Sequence, residues 1–258
     1  MDIVQSIILG AVQGLTEFLP VSSSGHLVVF QKIFNFSEAP IFFDTLVHFA
    51  TLLAVVFYLR KEIIHILKTL NTKETQKLVG LIILGTIPIV IVGFSIKDII
   101  ERVFSSLLLV AFSFFVTSVI LFATYFFKNQ KKSITELNWK DSLFVGVFQA
   151  LAILPGVSRS GSTVSASIFR NIKREDGFKF SFLLAVPAIF GAFVLQLKEQ
   201  GFQFMGSQIL PDIIGFILAF AFGLISLKIL EKVMVKGKLY YFGVYTLLLS
   251  VIILIFTI

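Results

Sequence analysis

Gln13-Gly14-Leu15-Thr16-Glu17-Phe18-Leu19-Pro20-Val21-Ser22-Ser23-Ser24-Gly25-His26 is the stretch on which the fold turns. An apolar helix, Ile3–Leu19, runs into a proline and a Ser/Gly turn, and only about ten apolar residues follow, up to Phe34. A second stretch repeats the pattern. Ser142–Leu154 runs into Pro155-Gly156-Val157-Ser158-Arg159-Ser160-Gly161-Ser162-Thr163, and a short run ends at Phe169. A helix needs about 20 apolar residues to cross a bilayer, so neither second arm can cross. Polar, irregular backbone at membrane depth is tolerated only where protein buries it or water reaches it. Both regions therefore read as re-entrant helix–loop–helix hairpins that enter and leave on the same side.

Outward from the hairpins, six apolar stretches read as full spans: Ile41–Leu59, Leu78–Ile96, Val103–Phe127, Phe180–Leu197, Ile209–Leu227 and Leu239–Ile258. Pro88 and Pro187 lie inside two of them and kink a helix without denying the span. Composition agrees: of 258 residues 57% are hydrophobic and only 14% charged, 31 are Phe, and the mean hydropathy is +0.96. Soluble domains carry about 25% charged residues. The expected class is an all-α polytopic membrane protein, which removes the nucleic-acid binders despite a pI of 9.6. Cysteine is absent, so disulfides and thiolate metal sites are excluded. Met1-Asp2 offers no basic region ahead of the first apolar stretch, which is therefore not expected to be a cleaved signal peptide.

Gln13-x-Leu15 and Leu19-Pro20 answer to Gln149-x-Leu151 and Leu154-Pro155, and each hairpin is followed by three spans. The expected arrangement is a single membrane domain over residues 1–258. It is built from a repeat of about 1–127 and a second of about 142–258, inverted because three crossings is an odd number. Inverted repeats with broken helices place their site near the midplane, between the repeats. Segments 60–77, 128–141, 170–179 and 228–238 carry 17 Lys and Arg, against four at Lys32, Lys97, Arg102 and Lys198. By the positive-inside rule the first set is cytoplasmic. Both termini and the mouth of the first hairpin then face outward.

Charged and polar groups at membrane depth cost on the order of 2.5–3.5 kcal/mol each, so their default reading is functional. Gln13 and Glu17 share one helix face, as do Asp44 and His48. Asp44 and His48 read equally as a pair that satisfies itself and as support for the site. Each tip leads a Ser/Gly turn into a short helix whose free N–H groups and dipole favour an anion. Ser22, Ser24, Gly25, Ser158, Ser160 and Thr163 are the candidate phosphate binders, and Arg159 adds a planar fork suited to phosphate oxygens. Glu17 and His26 supply acid–base capacity beside serines, which only the first tip has. Two readings follow: a membrane phosphatase, or a transporter or flippase of lipid phosphate on the same scaffold.

The stretches Gln13–His26 and Pro155–Thr163 resemble the two signature motifs of the undecaprenyl-diphosphatase family, the bacitracin-resistance type of integral membrane phosphatase. The resemblance covers the whole chain. It implies hydrolysis of undecaprenyl diphosphate to the monophosphate in the bacterial plasma membrane, with the site open to the outer face, which recycles the lipid carrier for cell-wall synthesis. It assigns Glu17 as the essential acid, Ser23 as nucleophile, His26 as its partner and Arg159 as the phosphate clamp. It also implies a divalent cation, magnesium or calcium, at Glu17. Here Gln13 stands in the first carboxylate position, so this helix brings a single carboxylate.

Overall fold

A computed structural model describes residues 2–33, 41–95, 97–200 and 209–257. The expected arm and span ends at Phe34, Ile96 and Ile258 lie outside the described residues. Helix α1 (Ile3–Phe18) starts on a capping box: Asp2 accepts the N–H of Gln5 at 2.7 Å, and the Gln5 amide oxygen accepts the N–H of Asp2 at 2.9 Å. It stops at Leu19, where Pro20 cannot continue the ladder, and α2 (Ser23–Ile33) turns back. Then come α3 (Ile41–Tyr58), α4 (Arg60–Lys68), α5 (Lys73–Ser95), α6 (Lys97–Ser105) and α7 (Leu107–Ala123). The second half holds α8 (Trp139–Leu151), α9 (Arg159–Phe169), α10 (Arg174–Gln200), α11 (Ile209–Val235) and α12 (Tyr240–Thr257). Among the described residues the regular structure is helical apart from a bridge between Lys132 and Ile172.

Five helices are long and apolar enough to cross a membrane: α5, α7 with its terminal turn, α10, α11 and α12. The expected six is reached by counting α3, which qualifies only together with α4, bent from it by 67°. The bend falls at Leu59, where Arg60-Lys61-Glu62 begin and the chain turns its charges away from hydrocarbon. The span expected from Val103 instead starts at Leu107. Ser106 accepts the N–H of Leu109 as an N-cap, which separates the amphipathic α6 from the span. In the five crossing helices 11 to 44% of the apolar window is buried by protein, and residues such as Phe94, Phe112, Ile217, Leu248 and Ile255 stand exposed. A surface this apolar belongs in lipid. This is a multi-pass membrane protein.

Packing crosses between the two halves. α1 lies against α11, where a side chain on Gly10 or Gly14 would stand 2.6 Å from the carbonyl oxygen of Gly215 or Ala219. α8 lies against α5 in the same manner, with Gly146 on the backbone of Gly85. Serines close both seams: Ser226 donates to the Gly14 carbonyl at 2.8 Å, and Ser142 to the Leu81 carbonyl at 2.5 Å. In lipid there is no hydrophobic drive between helices, so close backbone approach and such bonds hold them. Phe18, Phe178 and Phe182 fill the space between the halves, with Phe18 edge-on to Phe182 at 5.6 Å.

The four basic segments meet at one end. Lys77 donates to the Thr135 carbonyl, Arg170 and Lys132 pair with the buried Asp141, Lys179 pairs with Glu62, and Arg174 donates to the Val235 carbonyl. Burial alone raises the Asp141 pKa, but the bonds from Lys132, Arg170 and Asn138 hold it below the usual carboxylate range. The glycine seams generate a prediction. Gly146→Ala pushes a methyl into the Gly85 backbone and is expected to cost about 2 kcal/mol. Gly80→Ala, with open space around it, is neutral or gains about 0.5–1 kcal/mol. Thermal unfolding in detergent checks both.

Candidate active site

Both tips are built by one capping pattern. Ser22 accepts the N–H of His26 on its carbonyl (3.2 Å) and that of Gly25 on its hydroxyl (3.4 Å). Ser158 accepts the N–H of Ser162 (2.8 Å) and of Gly161 (3.1 Å) in the same two ways. This leaves the first-turn N–H groups of Ser23 and Ser24, and of Arg159 and Ser160, with no partner inside their helices. The tips are then joined. Gly156 donates its N–H to the Ser22 hydroxyl at 3.0 Å, and Ser160 donates to the Leu19 carbonyl at 3.1 Å. The junction sets Ser22 at φ +66° and Gly156 at φ +98°, a region cheap for glycine and costly for serine. Gly25 carries no side chain because Phe114 and Gly156 press against it. Thr117 of α7 braces the second tip, donating to the Gly156 carbonyl at 2.8 Å and accepting the N–H of Ser158 at 3.0 Å.

At this junction Glu17 is shared by both tips. One carboxylate oxygen, Oε1, pairs with Arg159 Nη2. The other, Oε2, accepts the Ser23 hydroxyl at 2.5 Å and the Gln13 amide at 3.1 Å. Ser23 thus lies against a base and Arg159 against that base's other oxygen. Arg159 Nη1 is buried with no hydrogen-bond partner among the described residues. A cavity of about 400 Å³ opens here. It is lined by the polar Glu17, Ser23, Ser24, Arg159, His48 and Asp44 and by the apolar Ile89, Phe104, Ile189 and Phe193.

The structure does not form the expected Ser23–His26 pair. His26 Nδ1 donates to the Ser22 carbonyl at 2.7 Å, so its Nε2 is the acceptor and takes the Tyr245 hydroxyl at 2.7 Å. The ring is stacked on Tyr245 and edge-on to Phe114. Glu17, not His26, holds the serine. Ser22, Ser158 and Ser160 are engaged in building the tips, and Thr163 donates to the Arg159 carbonyl at 2.9 Å, within its own helix. Ser24 remains on the cavity wall. Asp44 accepts the Gln31 amide at 3.0 Å, while its Oδ1 is buried and unpartnered among the described residues. Asp44 and His48 meet through the Asp44 carbonyl, which accepts His48 Nδ1 at 2.7 Å. Tyr245 and Thr117 were invisible to sequence reading, because each acts across more than 35 residues of chain and carries no motif. Gln31 gives no signal either.

Calcium takes six to eight oxygen ligands, and magnesium six, commonly waters completed by one or two carboxylates whose oxygens are free to bind it. Both oxygens of Glu17 are already in use, and no three His, Asp or Glu side chains converge among the described residues. This donor set does not fit a cation resident on Glu17.

The family described as bacitracin resistance protein BacA matches residues 6–252. The chain belongs to that family. A relative from Carboxydothermus hydrogenoformans named undecaprenyl-diphosphatase is 44% identical over 258 residues, spanning 99% of this chain and 97% of the relative. One of the same name from Methanococcus maripaludis is 39% identical, spanning 98% and 99%. Undecaprenyl-diphosphatase 4 of Bacillus thuringiensis is also 39% identical, spanning 98% and 97%.

The His26 geometry has a measurable consequence. Tyr245→Phe leaves His26 Nε2 buried without its donor and is expected to lower stability by about 1–3 kcal/mol. His26→Ala lowers it as well, through the lost Ser22 bond. Ser23→Ala removes one bond to the buried Glu17 carboxylate and is expected to lower stability by about 1 kcal/mol in the same thermal unfolding assay.

Proposed function

We propose that the chain hydrolyses a polyprenyl diphosphate, undecaprenyl diphosphate in the first instance, to the monophosphate and inorganic phosphate. The observation that carries this is a serine hydroxyl 2.5 Å from a carboxylate, at the meeting point of two helix N-termini, with an arginine on the same carboxylate. In the reaction, Ser23 Oγ attacks the terminal phosphorus and its proton passes to Glu17 Oε2. The P–O bond to the lipid monophosphate breaks, and that anion leaves. Glu17 loses that proton to the cavity water. A second water then attacks the phosphoserine, its proton passes through Glu17 to Ser23 Oγ as the P–O bond to serine breaks, and inorganic phosphate leaves. Arg159 and the N–H groups of Ser23 and Ser24 face the phosphoryl oxygens, where charge builds in the transition state. Protonation of Glu17 weakens its hold on Arg159 and releases the guanidinium toward phosphate.

The same reading takes the hairpins as re-entrant and the halves as inverted repeats. The matched tip caps and the crossed α1–α11 and α8–α5 seams support it. The basic end is assigned to the cytoplasm, in a bacterial plasma membrane, with both termini and the cavity mouth outside. A carrier of lipid phosphate has no need of a serine held on a carboxylate in one tip alone, and this asymmetry favours the enzyme.

Purified protein in detergent, where transport is impossible, is expected to release phosphate from a polyprenyl diphosphate. Ser23→Ala should lower kcat by ~10³-fold or more while still binding substrate, with Ser24→Ala only impaired. Acid quench of the wild type should trap phosphoserine at position 23. Arg159→Lys keeps the charge but loses the fork, so kcat and kcat/KM should fall together by ~10²–10³-fold.

A further inference from the structure

His48 lies on α3, outside both tips, and the steps above do not use it. Its Nδ1 is committed to a carbonyl oxygen, that of Asp44, at 2.7 Å. A carbonyl can only accept, so Nδ1 carries a proton, and in the neutral ring Nε2 presents a lone pair. That Nε2 lies 4.0 Å from Glu17 Oε2, the oxygen that holds the Ser23 hydroxyl. Exposure separates the two groups. The Glu17 side chain is 6% accessible and enclosed by Arg159, Ser23 and Gln13, whereas the His48 side chain is 34% accessible and lines the cavity. His26 cannot take this part, because Ser22 and Tyr245 occupy both of its nitrogens.

We propose that His48 discharges Glu17 between the two half-reactions. This rests on the phosphatase reading. After Ser23 is phosphorylated, Glu17 carries the serine's proton and cannot accept one from the attacking water. The lipid phosphate leaves as an anion and takes no proton with it. Glu17 Oε2–H passes the proton to His48 Nε2, directly or through one water across the 4.0 Å gap. The imidazolium then gives it to the water of the cavity. Glu17 is again a carboxylate, takes the proton of the hydrolytic water and returns it to Ser23 Oγ. One proton reaches solvent in each cycle. His48 touches no reacting atom of the substrate; its part is to reset the base.

The test uses the full chain in detergent with a polyprenyl diphosphate labelled in its terminal phosphate. His48→Gln is expected to phosphorylate Ser23 at the wild-type rate in the first turnover. It then turns over ~10²-fold more slowly, with label accumulating on the serine. His48→Ala should behave alike, and free imidazole should restore its steady-state rate. A purely structural role predicts neither the accumulated label nor the rescue. Wild-type turnover in His48→Gln overturns the proposal. So does a slow variant whose serine carries no label, or a folded His48→Ala that imidazole leaves slow. Failure of the phosphatase reading is distinct, since the wild type itself then releases no phosphate.

Discussion

The ion pair between Glu17 of α1 and Arg159 of α9 is what the rest of the structure depends on. Either charge alone in an apolar protein is expensive, and together they are tolerable only if their remaining bonds are met. Ser23 and Gln13 meet those of Glu17, while one amino group of Arg159 has no partner among the described residues. The pair also joins two chain segments 142 residues apart. It therefore fixes the distance between the tips, and with it the place where two helix N-termini point their N–H groups at one volume. An anion entering that volume competes with Glu17 for Arg159, and so the bond that joins the two tips is also the one such an anion reorganises.

Around this pair the scaffold is nearly symmetric and the chemistry is not. Ser22 and Ser158 cap their helices alike, and the next residue is the nucleophile candidate in one tip and the arginine in the other. In the proposed reaction one position, the first of a short helix, delivers an attacking oxygen from one side and a charge clamp from the other. The strained turn at Ser22 is held by the Ser22–Gly156 bond, and Thr117 braces Gly156, so hydrogen bonds fix how the two tips meet. Such placement matters because phosphoryl transfer gains mostly from alignment and charge neutralisation.

The cavity shares the amphiphilic character of a lipid phosphate. Its lining combines the polar tip junction with apolar side chains of α5, α6 and α10. Small-residue seams let α1 and α8 run close to α11 and α5.

Much of this was legible in the chain itself. Proline after an apolar helix, then serines and glycine, dictates a broken helix wherever it stands, because proline lacks an N–H and serine caps the next turn. Hydrophobic length and charge placement likewise dictate the helical membrane class and gather the basic segments, since both follow from the cost of polar groups in hydrocarbon. Composition and motif also single out Glu17, Ser23 and Arg159. What the sequence could not decide is which groups face one another. His26 stands three residues from Ser23 yet turns to Tyr245, 219 residues away, while His48, on another helix, comes to 4.0 Å from Glu17. Local spacing determines the face of a helix. The neighbour across that face is set by the packing of α3 and α12 against the tips, which depends on the volumes of the whole interior and not on any one motif.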